Sequence, residues 1–196
     1  LTAPFNQSNV RRMDISVVRD TLAPVMLDPI IIDRLSVLGT ELFIFPDYAT
    51  YIANGGHDGG HACNNRRVAD GVFQIYLPAE YEHRLDIILH EIGHLVDFAY
   101  GVYAMGKEGH FTAHHDVWKE WYQKSLRNGQ PSDPPEVQRA DSHEAFAEIF
   151  CGLQAKPWGD AFLRRAKIIM LANIVADVTE QFIKQSEGWA EARRRT

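Results

Sequence analysis

Three features of the sequence predict an α+β fold, with a small mixed sheet early in the chain and helices late. Two short segments, Glu41–Phe45 and Val72–Leu77, carry strand signatures. From Tyr81 the apolar spacing turns helical and stays so to Tyr100. Nearly all of the second half keeps that helical spacing, and strands followed by helices is the α+β order.

Asp14–Leu38 has apolar residues at helical spacing, interrupted at Pro24 and Pro29. Proline removes a backbone donor and clashes with the preceding turn, so the reading is two short helices. Glu41-Leu-Phe-Ile-Phe45 is compact, aromatic and stopped by Pro46, as a strand would be. Gly55, Gly56, Gly59 and Gly60 mark 54–65 as a loop leading into a short extended piece around His61–Asn64. A hairpin over Arg66–Gly71 would join that piece to the next strand. There Phe73, Ile75 and Leu77 alternate with Val72, Gln74 and Tyr76, which predicts one face on the core. Helices are then expected over Tyr81–Tyr100, His114–Arg127, Asp141–Ala155 and, with one or more breaks, Trp158–Gly188. Asn128–Pro135 is a loop by composition.

The 196 residues suffice for one domain, 1–196, sheet-bearing to about residue 80 and helical over 81–196. A composition 45% hydrophobic and 23% charged excludes a disordered or fibrous chain. The net charge of -6 leaves no clustered basic surface for nucleic acid. Arg193–Arg195, the one basic run, reads as a solvated, frayed helix end. Every apolar segment is interrupted by Asp, Arg, Glu or Pro, so no membrane span is expected. Cys63 and Cys151 are too few for a metal knuckle, and a single bridge or two buried thiols are both open. The start at Leu1 suggests that something upstream was removed, whether a signal peptide, a neighbouring domain or a tag.

Within the Tyr81–Tyr100 helix, His90-Glu91-Ile92-Gly93-His94 forms an HExxH motif. Four residues advance a helix by about 400° and about 6 Å, so both imidazoles lie on one face and reach a single ion. Imidazole nitrogen suits zinc. Glu91, turned about 100° from His90, can take a proton from a water on the metal without filling a ligand place. Bulky uncharged neighbours predict that this helix is buried, and a buried helix bearing unliganded histidines and a glutamate would be costly to fold.

Catalytic zinc usually takes three protein ligands and leaves one place for water. A glycine three residues beyond His94 and a histidine six beyond it would mark a metzincin, but Asp97 and Tyr100 stand there. The carboxylate pair Glu144-Ala-Phe-Ala-Glu148 shares one face of an otherwise apolar helix, and Glu144 is the predicted third ligand. Glu148, or Asp97 three residues after His94, would hydrogen-bond a ligand imidazole. Two rivals exist. Asp141-Ser-His-Glu144 also reads as a capping box, and His143 is a neighbouring donor.

HEIGHLVD at 90–97 together with EAFAEIF at 144–150 resembles the catalytic domain of anthrax lethal factor and its relatives, including the Pro-Pro endopeptidases. The likeness extends more loosely over residues 58–155. It implies a zincin-like fold, a zinc ion on His90, His94 and Glu144, Glu91 as general base, and a secreted endopeptidase. It also implies a peptide substrate bound as an extended strand along His61–Asn64, close to Cys63. Members of the family often place a Tyr seven residues before the ligand Glu to support the oxyanion. That position is Val137 here, which leaves Tyr103, Tyr122, His114, His115 and Arg139 as replacements. A zinc-holding interaction domain without catalysis, and a toxin or effector protease with one narrow target, are the competing functions. His57 and His61, i and i+4 in the glycine-rich loop, read as exposed loop residues, and Trp118, Trp121 and Tyr122 as packing.

Overall fold

The computed structural model describes residues 9–56, 64–67, 73–125, 142–155 and 169–195. Among these, the two short helices expected over Asp14–Leu38 are present, preceded by a strand that was not expected. The chain opens with β1 (Arg11–Asp14), a 3-10 turn and α1 (Arg19–Leu22), followed by α2 (Ile30–Val37). β1 was not expected, because its residues are mostly exposed and show no apolar alternation. Its stability comes from its neighbour. It pairs antiparallel with β2 (Glu41–Phe45), Arg12 forms an ion pair with Glu41, and the Arg12 guanidinium lies over the Phe43 ring. The Asp14 carboxylate ends the strand by accepting from the Ser16 amide (2.8 Å) and the Ser36 hydroxyl (2.7 Å).

α2 ends in a Schellman motif. Gly39 takes φ +76°, its amide donates to the Ser36 carbonyl, and the Thr40 amide donates to that of Leu35. This turn feeds the chain into β2. A second unpredicted element, α3 (Tyr48–Ala53), starts where the Asp47 side chain accepts from the Thr50 amide at 2.7 Å.

The sheet has four strands in the order β1-β2-β4-β3, with β2 and β4 (Phe73–Pro78) parallel and the outer pairs antiparallel. β3 (Asn64–Arg67) takes up Arg66 and Arg67, which the sequence reading put in the hairpin turn. The expectation of one buried face on β4 also needs correction, since all six residues are buried. Phe73, Ile75 and Leu77 join Leu42 and Ile44 in the main core. On the other side Tyr76 joins Phe43, Phe45 and Tyr51 of α3, with Phe43 and Tyr76 stacked at 5.0 Å. α3 therefore covers the face that the alternation suggested was open.

The remaining described helices are α4 (Leu85–Ala99), α5 (Asp116–Ser125), α6 (Ser142–Gln154) and α7 (Ile169–Arg194). α7 runs through Gly188 instead of ending there. Trp189 stacks on Tyr103 at 5.6 Å and Ala190 is buried, so packing carries the helix past the glycine. Trp118 is fully buried, while Trp121 and Tyr122 pack against the core, as expected. Among the described residues no helix is long and apolar enough to cross a membrane.

Candidate metal centre

α4 is buried from Ile88 to Asp97, so its polar residues His90, Glu91, His94 and Asp97 stand inside the protein. α6 packs along it and brings Glu144 to the two histidines. His90 Nε2 lies 3.1 Å from Glu144 Oε2 and 3.1 Å from His94 Nε2, and His94 Nε2 lies 3.3 Å from the same oxygen. Three donor atoms thus form a near-equilateral triangle. His90, His94 and Glu144 could hold a metal ion, and they are the one such group among the described residues.

The hydrogen bonds around the triangle specify its protonation. His90 Nδ1 donates to Glu148 Oε1 at 2.9 Å, and a carboxylate only accepts, so the proton is on Nδ1 and the lone pair of a neutral ring is on Nε2. That lone pair faces a carboxylate oxygen and a second imidazole nitrogen. A proton or another positive charge at the centre satisfies such a cluster. In the protein without metal a proton does so. Burial would lower the His90 pKa, but the bonds to Glu144 and Glu148 outweigh burial and carry it to about 10. Burial likewise opposes ionisation of Glu144, and its bonds to His90 and His94 overcome this, holding it well below the usual carboxylate range. His94 is lowered, first by burial. Its Nδ1 is buried and has no hydrogen-bond partner among the described residues.

Glu91 is 5% exposed, and burial pushes its carboxyl up to about 7, with His90 opposing and the charge of Glu144 adding. It thus stands beside the triangle without joining it.

The structure separates the two carboxylates predicted to support a ligand imidazole. Glu148 does so. Asp97 does not: its carboxylate binds His110 Nδ1 at 3.1 Å, the Thr112 amide at 3.0 Å and the Thr112 hydroxyl at 2.9 Å. A side chain three residues beyond His94 leaves α4 toward the following segment, which comes back to meet it. His143, the rival ligand, has Nε2 3.5 Å from Glu144 Oε1, and its ring lies 5.5 Å from that of His94. It flanks the triangle.

The replacements proposed for the missing tyrosine fare differently. Tyr103 stacks on Trp189, His114 Nε2 donates to the Glu108 carbonyl at 2.8 Å, and His115 Nδ1 accepts from the Trp118 amide at 3.1 Å. Tyr122 packs against the core. Val137, Arg139, Asp141, His57, His61 and Cys63 lie outside the described residues. His110 lies beside the triangle, with ring centroids 5.1 Å from His143 and 6.3 Å from His94. Only the Asp97 partnership could have flagged it. Cys151 lies elsewhere, its thiol 3.8 Å from the Asp86 carbonyl and pushed up to about 12, chiefly by burial.

Comparisons with protein-family models, with curated proteins and with solved structures found no match for this chain.

Proposed function

We propose that this protein is a zinc-dependent endopeptidase of zincin-like fold, related to the lethal factor-like peptidases, with His90, His94 and Glu144 as metal ligands and Glu91 as general base. One observation carries the reading: the triangle of donor atoms, with edges of 3.1–3.3 Å. Ligand atoms about 2.0–2.1 Å from a tetrahedral zinc lie about 3.3–3.4 Å apart, and two imidazoles with one carboxylate is a donor set zinc accepts. Three protein ligands leave a fourth place for water or substrate.

Zinc held there would polarise a scissile carbonyl and make a neighbouring water acidic at neutral pH. Glu91 has the properties of the proton carrier. Burial raises its carboxyl above the ordinary value in the metal-free protein, and as a carboxylate it can take a proton from water and pass it to the leaving nitrogen. Glu148 orients His90 through Nδ1. The outer strand β3, whose partner is β4 on one side, offers the sheet edge along which an extended peptide would add main-chain hydrogen bonds.

Metal analysis combined with digestion of a broad peptide library tests the proposal. Wild type is expected to hold one zinc per chain and cut peptides, and Glu144→Ala to lose both properties. Glu91→Ala is expected to keep zinc and lose about 100- to 10,000-fold in rate. A Glu144→Ala protein that retained zinc at wild-type affinity would end the ligand assignment. A zinc-loaded wild type that cut nothing would favour an interaction domain, and a single cut motif a narrow-target effector.

A further inference from the structure

His110 is held beside the ligand triangle by several parts of the fold. After α4 the chain forms a π-helical turn over Tyr100–Ala104 and then folds back. Gly101 permits the return: a Cβ there would overlap the Gly109 carbonyl oxygen and stand 2.6 Å from the Phe111 nitrogen, so the backbone on both sides of His110 rests against it. Gly109 takes φ +100°, in the region that favours glycine. The fully buried Asp97 carboxylate then ties down His110 and Thr112 with its three hydrogen bonds. The His110 ring stacks on His143 with planes 26° apart and stands edge-on to His94.

Asp97 also decides which nitrogen is free. A carboxylate only accepts, so Nδ1 carries the hydrogen of the bond to Asp97, and in the neutral ring Nε2 is left as an acceptor. Nε2 has no hydrogen bond among the described residues, and the side chain is 25% exposed. A peptide bond on the metal offers its carbonyl oxygen to the ion, and the other polar group it presents is its N–H. An acceptor held one ring away from the ligand imidazoles matches that donor.

We propose that His110 is a catalytic residue that accepts the N–H of the scissile peptide nitrogen at Nε2, with Asp97 as its positioning residue. This rests on the peptidase reading. The hydrogen bond orients the nitrogen that leaves as the C–N bond breaks and that receives its proton from Glu91. A ring that merely balanced Asp97 would make no contact with substrate.

The test uses zinc-loaded wild type, His110→Ala and His110→Gln, with acetohydroxamic acid and its N-methyl analogue as probes and calorimetry as the readout. Both probes chelate the metal, but only the first has an N–H beside the metal-bound oxygens. Wild type is expected to bind the N–H probe about 10-fold more tightly than His110→Ala does, one good hydrogen bond, and the N-methyl probe equally. His110→Gln, which restores an acceptor near the Nε2 position, is expected to recover part of the difference. Equal discrimination by wild type and His110→Ala, with full zinc in both, would overturn the role of His110 and leave the peptidase reading standing. Binding of neither probe by zinc-loaded wild type would remove that reading and this role together. Long-range ¹H–¹⁵N spectra give a check free of variants: the Nδ1–H tautomer is expected at His110, and the Nε2–H tautomer would refute the assignment.

Discussion

Gly93 on α4 lies so close to Ala147 on α6 that a Cβ at position 93 would stand 2.9 Å from the Ala147 Cα and 3.2 Å from its carbonyl oxygen. The glycine sits between Ile92 and the proposed ligand His94, and Ala147 sits between Phe146 and Glu148, so this contact bears on the separation of the helices that carry the candidate site. The two Ala147 atoms belong to the backbone and cannot swing aside, and the Phe150 ring closes the same space at 3.1 Å.

Gly93→Ala therefore forces α4 and α6 apart. The expected cost is about 1–3 kcal/mol of stability, the usual penalty for overpacking, together with weaker metal binding because Glu144 moves away from the imidazoles. Denaturant unfolding and a zinc-chelator competition measure the two effects. Wild-type values in both would show that the contact does not set the ligand spacing.

Glu148→Ala leaves every proposed ligand in place but removes the acceptor of the His90 Nδ1 proton. Metal affinity is expected to fall about 10- to 100-fold, the common effect of losing a partner that orients a ligand imidazole. Unchanged affinity would mean that packing alone holds the His90 ring.

Metal uptake should be linked to pH through His90. The ring carries a proton up to about pH 10 in the metal-free protein, and a metal ion needs the same Nε2 lone pair. Binding must displace that proton, so the logarithm of the affinity is expected to rise by about one per pH unit between roughly pH 7 and 9. His94, lowered by burial, is already neutral there and releases none. Titration calorimetry in buffers of different ionisation heat counts the released protons, and a count of zero at pH 8 would contradict the arrangement.

In the metal-free protein the contribution of Glu91 to stability should fall as the solution turns from acid to neutral. Glu91 holds its proton up to about pH 7 when folded, against 4.5 for the ordinary group. Between those values the folded chain binds a proton that the unfolded chain has released, so this contribution is complete below about pH 4.5 and disappears as pH rises through 7. Glu91→Gln, neutral throughout, is expected to show a pH dependence in this window that is flatter by up to about 3 kcal/mol. Unfolding curves of both proteins from pH 4.5 to 7.5, taken without metal, make the comparison.

What the sequence determined by itself is local. Helical period put His90, Glu91 and His94 on one stretch of α4 and paired Glu144 with Glu148 on α6, because those relations depend only on residues per turn. The alternation in Phe73–Leu77 and the aromatic run at Glu41–Phe45 marked two strands for the same reason. Elements held by distant partners were not legible: β1 depends on Glu41 and Phe43, and α3 on an Asp47 cap and the far face of β4. Tertiary structure alone decided that Glu144 meets His90 across 54 positions, that Asp97 turns to His110 rather than to a ligand, and that His110 returns to the site over Gly101. Each of these is a contact between segments far apart in the chain. Periodicity cannot report such contacts, because they follow from how closely two helices approach and where a loop is pinned.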